Sequence, residues 1–289
     1  MFRAVVSSDP RKPLWLIPNL LSLDAPLVAV AWLYIFAKTW RVDYLPWVAY
    51  ASLGLVVWLI YATDRLLDVS LRGLSENLQP RHEFHHKHQR LFRVLVTGAG
   101  VLALVLVITG LPVAIYGYAF VGGLMVAGFF ALSVFSTHGP HELPYGKNIV
   151  AGLAFAYGTA MVAFSYTGLD MTELIRSRAL ICFVVLCILN ISAIDLWEHA
   201  MRSSDPEIKA SDELTLTLPL TLLAGASLVF ATLDNGITTR PFFHAILTGA
   251  ALLYILNRNR ARFQMDALRV LADAALLVPF VVFLALTRS

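Results

Sequence analysis

Two aspartates four residues apart, Asp64 and Asp68, close an apolar run in the stretch "WLIYATDRLLDV", with Arg65 between them. On a helix that spacing sets both carboxylates on one face, one turn from each other. Paired carboxylates facing a cavity suit a hard divalent cation: Mg²⁺ takes one or two of them and completes its shell with phosphate oxygens and water. A second apolar run closes in "NISAIDLWEHA". Asp195 stands three residues before Glu198 and four before His199, so these share a face, while Asn190 lies deeper and slightly off it. Either motif alone also fits a solvated helix end. Two acidic pairs ending two spans on one side of a membrane fit two metals bridged by a diphosphate. A cation to meet that anion stands in "PYGKNIVAGLAFAYG", where Lys147 and Asn148 open a span and Gly152 and Gly158 leave room for close helix contact.

Other polar residues carry less specific signals. The tract "RHEFHHKHQR", residues 81–90, holds four of the eight histidines. His82, His85 and His86 match the H-x-x-H-H box of membrane di-iron hydroxylases and desaturases, but such enzymes need further boxes. Only His138, His141, His199 and His244 remain to supply them. The commoner reading is a basic amphipathic segment at the membrane surface, with Phe84, Leu91 and Phe92 touching lipid or protein and Arg81 available to phosphate. Asp24 and Asp273 fall inside apolar runs. An aspartate at the centre of a span costs about 2.5–3.5 kcal/mol on insertion scales, so each calls for a partner or a function. Asp273 reads as a structural hydrogen-bond partner within the bundle.

The elements that must position these residues are membrane helices. The chain is 58% hydrophobic and 14% charged, where a soluble domain carries about a quarter charged residues. Long apolar runs separated by short polar loops exclude a barrel. Nine spans are expected, at 15–37, 45–64, 92–111, 113–135, 148–168, 178–196, 214–233, 241–257 and 267–286, so that residues 1–289 make one all-α transmembrane helical domain. The opening "MFRAVVSSDPRKP" lacks a signal-peptide cleavage pattern, and the first run is expected to be retained. Cys182 and Cys187 share one run and read as small core hydrophobes. With the N-terminus cytoplasmic, sixteen of the 22 Lys and Arg fall on inner segments and six on outer ones. That bias sets the orientation and places both acidic motifs at the cytoplasmic face. With a net charge of only +3, membrane lipid and not nucleic acid is the expected partner.

The pattern resembles the UbiA superfamily of intramembrane prenyltransferases, which are bundles of nine membrane helices. In that family an Asn-Asp-x-x-Asp-x-x-x-Asp motif ends the second helix and a second aspartate-rich motif ends the sixth. "DRLLD" matches the last two aspartates of the first motif, as Asp64 and Asp68, and "AIDLWEH" ends the sixth expected span. "LPYGKNIVAGLAFAYG" resembles the family's fifth-helix opening, where a lysine faces the diphosphate, and "LSLDAPLVAVAW" resembles the start of the first helix. The family's leading Asn-Asp is Ile60-Tyr61 here, which removes one carboxylate, and the second motif has irregular spacing.

The resemblance implies Mg²⁺-dependent transfer of a polyprenyl group from a prenyl diphosphate to an aromatic or other lipophilic acceptor. Asp64, Asp68, Asp195, Glu198 and Asn190 would hold metal, and Arg65, Arg81, Lys147 and Asn148 would meet the diphosphate. A terpene cyclase is a close variant; a histidine-box di-iron enzyme and a non-catalytic lipid-binding or transport protein are rivals from other classes. The charge bias makes one prediction independent of all these. Reporter fusions after Arg90 and at Ser289 should give opposite topology signals, and the same signal from both would remove the nine-span arrangement.

Overall fold

The computed structural model describes residues 14–72, 87–135, 145–234, 236 and 238–288, without the side chains of 69–72 and 288. Every regular element among them is helical. After a 3₁₀ turn at Leu14–Leu16 come α1 (Ile17–Leu20), α2 (Asp24–Thr39), α3 (Trp47–Arg72), α4 (Gln89–Gly110), α5 (Ile115–Phe135) and α6 (Tyr145–Phe164). The short α7 (Met171–Arg176) follows, then α8 (Arg178–Arg202), α9 (Pro206–Leu233), α10 (Thr239–Asn259) and α11 (Met265–Arg288). Eight of these are long and apolar enough to cross a membrane, and α1 with α2 make a ninth if the bent pair is one span. The protein is an all-α polytopic membrane bundle.

Two expectations need correction. The first span, 15–37, is not continuous: the chain turns by 80° between α1 and α2, with Ser22 at a positive φ of 59°. The helices also outrun the apolar segments. The second expected span stops at residue 64, yet α3 continues to Arg72. The seventh starts at 214, yet α9 begins at Pro206, where Asp205 caps by accepting from the Glu207 amide at 2.9 Å. Proline in the first turn and an aspartate cap are local helix starts that hydropathy does not register.

The core is built around α2, which packs against α3, α6, α10 and α11. Trp32, Leu33, Ile35 and Phe36 on it are fully buried. Trp32 stacks on Phe183 of α8 with centroids 4.3 Å apart and meets Phe242 of α10 edge-on. Its indole donates to the Leu276 carbonyl of α11 at 2.8 Å. Phe36 continues the cluster to Trp40, which meets Phe164 at the end of α6. Aromatic side chains therefore fill the bundle from the middle of α2 to its C-terminal end. The opposite end is where the polar residues gather. By contrast α4 and α5 bury little and expose Val101, Leu104, Ile108, Phe120 and Leu124 to the surroundings, as lipid-facing helices do.

Of the three glycines on α6, only Gly152 is a contact. A Cβ there would sit 2.8 Å from the backbone N and Cα of Ile188 on α8, whereas a Cβ on Gly158 meets nothing within 4 Å. Gly152→Ala should therefore push α6 off α8 and destabilise by about 1–3 kcal/mol. Gly158→Ala should be neutral or slightly stabilising through helix propensity. Thermal melting in detergent checks both; equal effects would contradict the close approach.

Candidate functional site

The break between α1 and α2 exposes backbone that a membrane interior cannot hydrate, and α3 supplies the donors. Arg65 donates to the carbonyl of Asn19, and the Trp58 indole donates to that of Leu21 at 3.0 Å. The Asn19 amide in turn donates to Asp24 at 2.6 Å, across the turn. Freed carbonyls in a bilayer must find partners inside the protein, and these bonds are how this break is tolerated. Arg65 is only 7% exposed. Its electrostatic neighbours are Asp24, Asp273, the Tyr61 hydroxyl and Asp64. The expected diphosphate ligand Arg65 is thus turned inward to the break, among carboxylates.

The preceding residue on α3, Asp64, meets α6. Lys147 Nζ lies 3.4 Å from Asp64 Oδ1 and 5.0 Å from the centre of the Phe129 ring on α5. The next residue, Asn148, is buried and donates to Asp195 Oδ2 on α8 at 2.8 Å. Neighbouring residues at the start of α6 thus reach partners 83 and 47 positions away, one in each acidic motif. Asp68 lies half-buried one turn beyond Asp64 on the same helix. The close packing at Gly152 holds α6 and α8 near enough for the Asn148–Asp195 bond.

Other expected members are engaged elsewhere. Glu198 forms an ion pair with Arg269 of α11 and a second with Arg202 at 3.3 Å. Arg269 is itself buried and also holds Asp266 at 3.0 Å. Asn190 donates to the Ala272 carbonyl at 2.8 Å, tying α8 to α11. His199 contacts Asp212 of α9 at 2.8 Å. Arg81, His82, His85, His86, His138 and His141 lie outside the described residues. Sequence reasoning missed Asn19 and Arg269 as structural partners. The signal for Asn19 was available: Pro18, Asn19, Ser22, Asp24 and Pro26 crowd nine positions of an otherwise apolar run, a density of turn formers that argues for a break.

Deeper in the membrane lies a small cavity between α2, α3, α6, α8 and α11. Tyr61, Asn190 and Asp273 are its polar walls, and Phe155, Ile191 and Leu276 line the rest. Its volume of about 20 Å³ admits a body the size of one water.

The donor chemistry fits Mg²⁺. Among the described residues no cluster of three or more His, Cys, Asp or Glu side chains could hold a metal ion by itself. Mg²⁺ does not require one, since it keeps waters and phosphate oxygens beside one or two carboxylates. Asp64 and Asp68, one turn apart, are such a pair. Comparison of the chain with protein-family models, curated proteins and solved structures finds no match. What the site can do therefore rests on its own geometry.

The buried guanidinium gives a stability prediction. Arg65→Met leaves the Asn19 carbonyl, Asp24 and Asp273 without their cation and should cost about 3–5 kcal/mol, as broken buried pairs do. Arg65→Lys, which keeps the charge, should cost less. Unchanged melting of Arg65→Met would show that the break is held by something else.

Proposed function

We propose that this chain transfers a polyprenyl group from a prenyl diphosphate to a lipophilic acceptor within the membrane. One observation carries the reading: Lys147 and Asn148, adjacent on α6, reach Asp64 and Asp195 and so draw both acidic motifs to one place at one end of the bundle. An ammonium beside carboxylates at a helix start is the arrangement a metal–diphosphate headgroup needs. The cation meets the bridging and terminal oxygens, and the carboxylates meet the metal. Mg²⁺, when bound at Asp64, Asp68 and Asp195, would neutralise the leaving group's charge. Lys147 stands where negative charge grows on the departing oxygen, and a fixed donor there stabilises the transition state more than the ground state.

The remaining parts of the bundle have roles under this reading. The isoprenoid tail lies among apolar helices. The cavity's small volume requires helices to separate to admit it, and the sparsely packed α4 and α5 are the ones that can move. Phe155, Ile191 and Leu276 then keep water from the reacting carbon. The bias of Lys and Arg towards segments at this end supports a cytoplasmic position for the headgroup site.

Purified protein in detergent with Mg²⁺ and a panel of prenyl diphosphates should release diphosphate and yield prenylated product by mass spectrometry. Removing groups that merely orient a metal's ligands costs about 10–100-fold, so Asp64→Asn and Asp68→Asn should each cost at least as much. Asp68→Asn should melt like the parent, because that carboxylate is half-buried, whereas Asp64→Asn, which takes a negative charge from beside the buried Arg65, should melt somewhat lower. Wild-type turnover in both variants would reduce the pair to an ordinary hydrated helix end.

A further inference from the structure

We infer that the beginning of α4 seats an anionic phospholipid, its phosphate held by Lys87, Arg90 and Arg93 and its acyl chains laid along Leu91, Val94 and Leu95. This seat is independent of the transferase reading above.

All six residues face outward. Lys87, Arg90 and Arg93 are exposed, as are Leu91, Val94 and Leu95. Arg90, Arg93 and Val94 stand at i, i+3 and i+4, neighbours on one helix face. Phe92 turns the other way. It is buried and stacks on Trp58 of α3 with ring centroids 6.4 Å apart. One side of the helix therefore packs on the bundle, and the side with the cations meets the surroundings.

The depth of this face follows from the break in the first span. The Trp58 indole that packs on Phe92 also donates to the Leu21 carbonyl, so the beginning of α4 stands beside the turn between α1 and α2. The segment before that turn, Leu14–Leu20, lies at 80° to α2 and so runs across the bundle. It exposes Leu14, Trp15 and Ile17. An apolar segment lying crosswise, with an outward tryptophan, belongs at the boundary between headgroups and acyl chains. The cations beside it are then at the depth of lipid phosphates, and the apolar residues further along α4 are at the depth of the chains.

Charge selects the partner. Among the described residues Lys87, Arg90 and Arg93 form no ion pair, and the first turn of α4 holds no acidic residue. Like charges one turn apart repel each other, so this face favours an anion from outside. Lys87, His88, Gln89, Arg90 and Leu91 line a concavity of about 380 Å³, within the size of small-molecule sites. Arginine meets phosphate oxygens through several N–H donors at once. A soluble anion would satisfy the cations and leave the apolar half of the face unused. A phospholipid with a net negative headgroup uses both halves.

The test is a competition between two lipids. Full-length protein in dodecyl maltoside is given phosphatidylglycerol and phosphatidylcholine of identical chains, and native mass spectrometry reads which of them stays bound. A cation at an anionic membrane surface is worth about fivefold in affinity, and three together on the order of a hundredfold. Wild type should retain phosphatidylglycerol over phosphatidylcholine by about that factor. Lys87→Gln/Arg90→Gln/Arg93→Gln should bring the two lipids close to parity, and the charge-keeping Arg90→Lys/Arg93→Lys should keep most of the preference. Removing three other exposed cations, in Arg202→Gln/Lys209→Gln/Arg262→Gln, should leave it unchanged. The readout is a ratio within one folded population, so differences in yield do not enter it. Equal retention of both lipids by wild type, or an unchanged preference in the first triple variant, overturns the seat. An equal loss in the second triple variant also overturns it, because the preference would then belong to surface charge in general. Soluble glycerophosphate that displaces phosphatidylglycerol at equal concentration would show that the chains play no part and would remove the lipid assignment.

Discussion

Arg65 has to be accommodated where water cannot reach it, and much of the polar end of the bundle follows from that requirement. An isolated buried charge would cost several kcal/mol or more. Here the guanidinium is surrounded by Asp24, Asp273 and Asp64 and gives a hydrogen bond to the Asn19 carbonyl. Two of these carboxylates belong to other helices, and the third precedes Arg65 on its own. Asp24 sits at the start of α2, Asp64 towards the end of α3, and Asp273 in α11. The break between α1 and α2 is possible because α3 supplies Arg65 and Trp58 to its carbonyls. Without the break, Asp24 would lie on the next turn of a straight helix and its neighbour would be lost. Backbone irregularity inside a membrane is tolerated where protein, and not lipid, surrounds it, and this break meets that condition.

The bundle is divided along its axis. From the middle of α2 to its C-terminal end, Trp32, Phe36, Trp40, Phe164, Phe183 and Phe242 interlock, and such dense aromatic packing resists opening. At the other end, hydrogen bonds and ion pairs link α3, α6, α8 and α11 around a small cavity. Rigidity on one side and exchangeable polar contacts on the other confine any opening to one face. The weakly buried α4 and α5 form the flank with the least packing against the rest of the bundle.

How far the sequence revealed this depends on whether a signal is local. Hydropathy marked the crossing segments because burial in lipid demands a continuous apolar run. The two acidic motifs were visible from spacing alone, as was the contact of Gly152. Helix ends were misplaced, since a helix such as α3 continues past the membrane boundary while its hydropathy falls. The interruption at Ser22 was missed because leucines on both sides keep the run apolar, and hydropathy does not report the continuity of the backbone. Gly158 could not be told from Gly152 without knowing which face meets α8. The engagement of Glu198 by Arg269 was also out of reach, since the two stand 71 positions apart and nothing local couples them.

The basic residues at the polar end fall into two kinds, and the difference bears on which of them can serve an anion. Arg65 and Arg269 are almost fully buried and hold carboxylates whose release would leave charges stranded in a dry interior. Their bonds are part of the fold. Lys147 and Asp64 are each about a quarter exposed, at 22% and 24%, and 3.4 Å apart. A pair so placed is held less firmly than the buried ones, so an incoming anion can draw Lys147 away from Asp64 at less cost to stability than releasing Arg65 or Arg269 would carry. Lys147 is thus suited to a headgroup by the weakness of its present partnership, whereas Arg65, though nearer the cavity, is held by the strength of its own.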